Sequence, residues 1–153
     1  MTSVRILFAV IIGVMVSFAS AVNAADSWQI KSSPHSVDDT VDKMTSAIKD
    51  AGDKVILVID HSAAAEKAGV TLPPTVTVIF GNPEIGTPLL TENRKLAIAL
   101  PLRALIWQEG DSTLVGYIEP KVLAEEYGFA ETNESIQAMA AALAEFTDAA
   151  IAP

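Results

Sequence analysis

The sequence predicts an α+β fold in which an antiparallel sheet carries its long helices on one face, in the order β-α-β-β-β-β-α. Three observations lead there. Most of the strand-like runs lie together between two long helical stretches instead of alternating with them one for one. Two of these runs, Leu102 to Gln108 and Ser112 to Ile118, flank Glu109-Gly110-Asp111, which reads as a hairpin with a three-residue loop. The two long helical stretches each show one apolar stripe, as elements covering a sheet should.

The individual elements follow in chain order. Trp28 to Ser32 alternates apolar and polar, which suits a first strand with one buried face. Ser36 stands as a helix cap with Asp39 three residues on, and Val37, Val41, Met44 and Ile48 then recur at helical spacing until Gly52. Lys54 to Asp60 is rich in β-branched residues and is expected to be a central strand, covered on both faces for part of its length. Ser62 to Ala68 holds strong helix formers and stops at Gly69, giving one or two turns. Pro73-Pro74 breaks the chain before a third strand, Thr75 to Phe80. Gly81 to Asn93 reads as loop or irregular helix. After the hairpin, Pro120 to Tyr127 forms a short helix ending at Gly128. From about Asn133 to Ile151, Ile136, Met139, Leu143 and Phe146 line one face of a long helix, with Glu134, Glu145 and Asp148 toward solvent.

The start of the chain has a different character. Arg5 precedes a mostly apolar run, Ile6 to Phe18, and Val22-Asn23-Ala24 fits a small-x-small cleavage pattern. The expectation is a signal peptide at residues 1–24, cleaved before Ala25, and a single globular domain at 25–153 that is periplasmic or extracellular. No later segment is apolar enough to span a bilayer, so no membrane association is expected after cleavage. Loss of Arg5 with that segment leaves nine basic and nineteen acidic residues, a formal charge of −10. Such a surface repels phosphate backbones, and Arg94-Lys95 is the only adjacent basic pair, so nucleic acid is excluded as a partner. The absence of cysteine rules out thiol nucleophiles, thiol redox pairs, cysteine zinc sites and covalently attached c-type haem.

Few residues have a claim to chemistry. Gly81-Asn-Pro-Glu-Ile-Gly86-Thr87 has the glycine spacing of a phosphate loop. Pro83 removes a donor, however, Glu84 adds negative charge, and Thr87 stands where the lysine should be. A structural turn, its glycines supplying positive φ, is the reading that fits. Ser62, His61 and Asp60 are adjacent and cannot face one another as a catalytic relay requires. His61, directly after the β-branched run, is the candidate cofactor-binding residue: it could give an axial bond to haem, with the run and Phe80 supplying apolar walls. The competing role is a structural hydrogen bond to the adjacent helix start or loop. His35, beside the Ser36 cap, reads as a solvated loop residue.

Several short motifs are specific together: Ile59-Asp60-His61 with Ala64 and Ala65, Leu72-Pro73-Pro74-Thr75, Phe80-Gly81-Asn82-Pro83, Gly86-Thr87-Pro88-Leu89, Leu100-Pro101-Leu102, and Tyr117 before Pro120. By these the chain, from about residue 32 to 128, resembles the bacterial and archaeal "domain of unknown function 302" family. The resemblance implies a curved antiparallel sheet grasped by helices, similar to the TATA-binding-protein fold, and a homodimer. Family members often carry an acid where this chain has Ala99 and a methionine where it has Leu90. Asp60, Phe80, Gly81, Asn82, Pro83, Gly86, Thr87, Pro101 and Tyr117 are the motif residues expected to serve structure. The functional expectation is a non-catalytic module that binds a small ligand or a protein, with haem or metal binding through His61, or an unidentified enzymatic reaction, as alternatives.

Overall fold

A computed structural model of the protein describes residues 27–153; the expected signal peptide, residues 1–24, lies outside the described residues. The elements are β1 (Trp28–Ser33), α1 (Val37–Asp50), β2 (Lys54–Asp60), α2 (His61–Lys67), β3 (Thr75–Gly81), α3 (Pro83–Glu92), a 3-10 turn at Arg94–Ile98, β4 (Leu102–Glu109), β5 (Ser112–Ile118), α4 (Pro120–Tyr127) and α5 (Glu134–Ile151). The strands form one open sheet in the order β1-β5-β4-β3-β2, and every neighbouring pair is antiparallel. The α+β class and the helix-backed antiparallel sheet are therefore those the sequence predicts.

Local chemistry sets the helix starts. The Ser36 hydroxyl accepts the Asp39 N–H at 3.1 Å and donates to the Asp39 carboxylate at 2.8 Å, satisfying one of the orphan donors of α1. Asn133 does the same for α5, its side-chain oxygen accepting from the N–H groups of Ser135 and Ile136. Both helices turn their apolar stripes onto one sheet face. There Met44 and Ile48 of α1 and Leu143, Phe146 and Ala150 of α5 meet Val78, Phe80, Ala104, Ile106 and Val115 of the sheet. Phe80 and Phe146 touch edge to face with ring centroids 5.5 Å apart. Lys31 fastens β1 to α5, donating to Thr147 Oγ1 at 2.8 Å and pairing with Asp148 at 2.6 Å. A second apolar cluster, with Leu89, Leu96, Ala124, Ile136 and Met139, joins α3, the 3-10 turn and α4 to α5.

The structure corrects several sequence expectations. The β-branched strand β2 is at the edge of the sheet, not its centre, and Ile56, Leu57 and Val58 are 55%, 52% and 41% exposed. Its apolar character is not used up by burial within the chain. The hairpin loop holds two residues, because Glu109 pairs with Ser112; Gly110 alone has positive φ, the pattern of a type II′ turn. The segment after β3 is a ten-residue helix, with Pro83 in its first turn where a missing N–H costs nothing. Gly81 and Gly86 are accordingly not at positive φ; that conformation falls to Gly52, Gly69, Gly110 and Gly128. His35 is not simply solvated: its Nε2 lies 2.7 Å from the Ala152 carbonyl, holding the β1–α1 loop to the end of α5.

The sheet face opposite α1 and α5 remains open. Trp28, Ile30 and Ile118 on the β1 side and Leu57 on the β2 side stand on it at 40%, 54%, 45% and 52% exposure. Trp28 and Trp107 converge over Gly116, where an added Cβ would come within 3.1–3.2 Å of their ring atoms. Glycine there makes room for the two indoles.

Candidate functional site

A concavity lies where the beginning of β2, the end of β3 and the beginning of β4 meet α3 and α5. It is an open cleft of about 320 Å³, lined mainly by Ile56, Ile85, Leu90, Leu100, Leu102 and Met139. Its shape follows from three local features. The β2–β3 register shifts between Val55 and Leu57, and this irregularity re-aims Ile56 toward the cleft. Gly86, inside α3, leaves a gap beside Leu100, whose Cδ1 would lie 3.6 Å from a Cβ placed there. Asn82 ties the corner together: its Nδ2 donates to Asp53 Oδ1 at 2.9 Å and its Oδ1 accepts the Glu84 N–H at 2.9 Å, capping α3. At the mouth, Lys54 is exposed and makes no ion pair among the described residues. The walls are mostly apolar, and Asp53, Lys54, Asn82 and Thr87 are the polar side chains among the lining residues.

Six of the motif residues expected only to serve structure line this cleft: Gly81, Asn82, Pro83, Gly86, Thr87 and Pro101. Leu90 lines it as well. His61 does not. It is the first residue of α2, exposed, with its Nε2 3.0 Å from Thr77 Oγ1 on β3. Asp60 caps α2: its carboxylate accepts from Ser62 Oγ at 2.6 Å and from the Ala63 N–H at 2.8 Å, and these bonds hold its pKa below the usual value. Ser62 therefore serves the cap and His61 turns to β3, so the three make no relay. Phe80 is fully buried against Phe146 on the opposite sheet face from Thr77, and supplies no wall beside His61. An exposed ring already engaged by a hydroxyl and lacking this wall does not fit a haem. Among the described residues, no group of three histidine, aspartate or glutamate side chains is placed to hold a metal.

The motifs meeting at the cleft are among those by which the sequence resembles a known family. The family described as "Domain of unknown function DUF302" matches residues 28–146. The chain belongs to this family. A solved DUF302 structure, an uncharacterized conserved protein from Bacillus stearothermophilus, has the same fold: the TM-score is 0.73 at 19% identity, covering 80% of this chain and 97% of that one. Among curated proteins, the "Fluoride-specific ion channel FluC 1" of Brucella suis is 37% identical over 109 residues, 70% of this chain and 43% of that protein. The protein of the same name from Brucella abortus is also 37% identical, over 70% of this chain and 40% of that protein. This DUF302 chain thus spans less than half the length of the curated relatives it matches.

The remaining DUF302 motif residue, Tyr117, faces a smaller, more polar recess of about 210 Å³ between β5, α4 and α5, with Glu119, Lys121 and Gln137. Burial, and then the nearby Glu119 and Asp148 carboxylates, push the Tyr117 hydroxyl above the ordinary tyrosine range. Hydrogen bonds from Lys121 and Gln29 hold Glu119 below the usual carboxylate value. These groups satisfy one another across β1, β5 and α4.

Proposed function

We propose that this chain is an exported, non-catalytic binding module whose small-ligand site is the cleft between α3, α5 and the end of the sheet. One observation carries the reading: three of the motifs, around Gly81 to Pro83, Gly86 to Thr87 and Leu100 to Leu102, converge on one apolar concavity, while His61 stands outside it. A volume of about 320 Å³ is at the lower end of what small-molecule sites occupy. The cleft has no catalytic constellation around it, which leaves an enzymatic reading with less support. Channel activity is not carried over from the Brucella proteins, because the match spans only 43% and 40% of their length.

A neutral probe tests the cleft. In a nuclear magnetic resonance titration, 1-octanol should shift the methyl signals of Ile56, Ile85, Leu90, Leu100 and Met139 saturably. Gly86→Leu should weaken this at least tenfold while keeping the fold, since Gly86 has ordinary helical φ and leucine is the better helix former by roughly 0.5–1 kcal/mol. Saturable shifts confined to the open sheet face, or identical binding by Gly86→Leu, would remove this site.

Export rests on residues 1–24, whose basic start, apolar core and small-residue end match a cleaved signal. The intact mass of protein from its own host should begin at Ala25; a mass that retains Met1 to Ala24 contradicts release. The open sheet face favours a second copy of this chain as partner, because Trp28, Ile30, Leu57 and Ile118 leave an apolar surface that α1 and α5 do not cover.

A further inference from the structure

We propose that the cleft takes a slender apolar molecule ending in an anionic group, a medium-chain carboxylate in chemical class, with Lys54 as the residue that receives the head. This rests on the cleft being a ligand site. The length follows from the volume. At about 30 Å³ for each water-sized group, comparable to a methylene, roughly ten heavy atoms fill the space, given the open cleft of about 320 Å³.

The sign of the head group follows from how the polar side chains at the mouth are committed. Asp53 lines the cleft, but its carboxylate is held by the Asn82 amide at 2.9 Å, and Asn82 is itself fixed as the cap of α3. That bond fixes the carboxylate at the corner, pointed at Asn82, without removing its charge. Lys54, the next residue, has no such partner: the ion pairs of the described residues are Lys31–Asp148 and Lys121–Glu119, and no side-chain hydrogen bond engages its ammonium. Lys54 lies opposite Gly81 in the β2–β3 ladder, so no side chain at that paired position covers it. An uncommitted ammonium at the rim of an apolar space, in a chain of net charge −9, is the one group there that favours an anion. Thr87, also on the lining and exposed, can add a hydroxyl donor.

Paired probes of equal chain length separate the two levels of the argument. At pH 7, octanoate should bind about two- to fivefold more tightly than 1-octanol, the range of an ion pair at an open mouth, and octylamine more weakly than either. Lys54→Met should remove the advantage of octanoate over 1-octanol, and Lys54→Arg should restore it. Shortening the acid to hexanoate should cost about fourfold per methylene. If 1-octanol still saturates the cleft methyls but octanoate gains nothing over it, or Lys54→Met leaves the advantage of octanoate intact, the anionic head is rejected and the apolar site stands. If neither 1-octanol nor octanoate produces saturable shifts at those methyls, the site and this inference fail together.

Discussion

Phe80→Ala should lower the free energy of unfolding by about 3–5 kcal/mol, measured as a fall in the urea midpoint with the slope unchanged. Phe80 has no exposed surface, and its ring meets Phe146 edge to face at 5.5 Å between centroids. Removing it therefore deletes the contact between the end of β3 and the C-terminal part of α5, and leaves a cavity walled by both elements. Close-packed interiors relax only partly around such a gap, which is why the cost exceeds simple transfer of the lost atoms. The loss is large against the roughly 5–15 kcal/mol by which ordinary domains are stable, and no disulfide is present to offset it. Ile98→Ala is the control. Ile98 is 80% exposed and its truncation should stay within about 0.5 kcal/mol. A loss below about 1 kcal/mol for Phe80→Ala would mean that α5 does not depend on this contact.

The elements were legible wherever a local signal decides the outcome. Ser36 with Asp39, and Asn133 before a striped run, announce helix starts by side-chain chemistry that acts within three residues. The hairpin was legible from Gly110, although the register that pairs Glu109 with Ser112 was not. Strand order was illegible because Lys54 to Asp60 looks like a buried strand by composition. Whether such a run lies at the centre or the edge depends on which strands pair, a long-range outcome. The cleft escaped for the same reason. Gly81, Gly86 and Pro101 each read locally as backbone punctuation, and only the packing of α3 against α5 turns them into the wall of a concavity. Proline at 83 and 88 masked α3, whose Pro83 sits harmlessly in the first turn. His61 drew attention because histidine is chemically versatile at any location, whereas its placement against Thr77 is set by the β2–β3 register.

Ile30→Lys should convert a dimer into a monomer at tens of micromolar protein, raising the dissociation constant about a hundredfold, equivalent to about 2.7 kcal/mol. The wild type should sediment as a dimer under the same conditions. Ile30 is 54% exposed in the single chain, so lysine there disturbs no core and the folded protomer should keep its melting temperature at low concentration. In a two-fold interface across the open sheet face, one substitution places two ammonium groups in the buried patch beside Trp28 and Ile118. Desolvating them without partners opposes association. Lysine also reduces the net charge of −9 and so weakens the long-range repulsion between two copies. A loss of association on adding a positive charge must then come from the local apolar contact. The same acidity predicts that added salt strengthens the wild-type dimer by screening that repulsion. A wild type that stays monomeric at 100 µM, on the order of a dissociation constant too weak for a specific stable interface, would return the open face to solvent. A dimer untouched by Ile30→Lys would move the interface elsewhere, with the exposed edge of β2 the next surface to substitute.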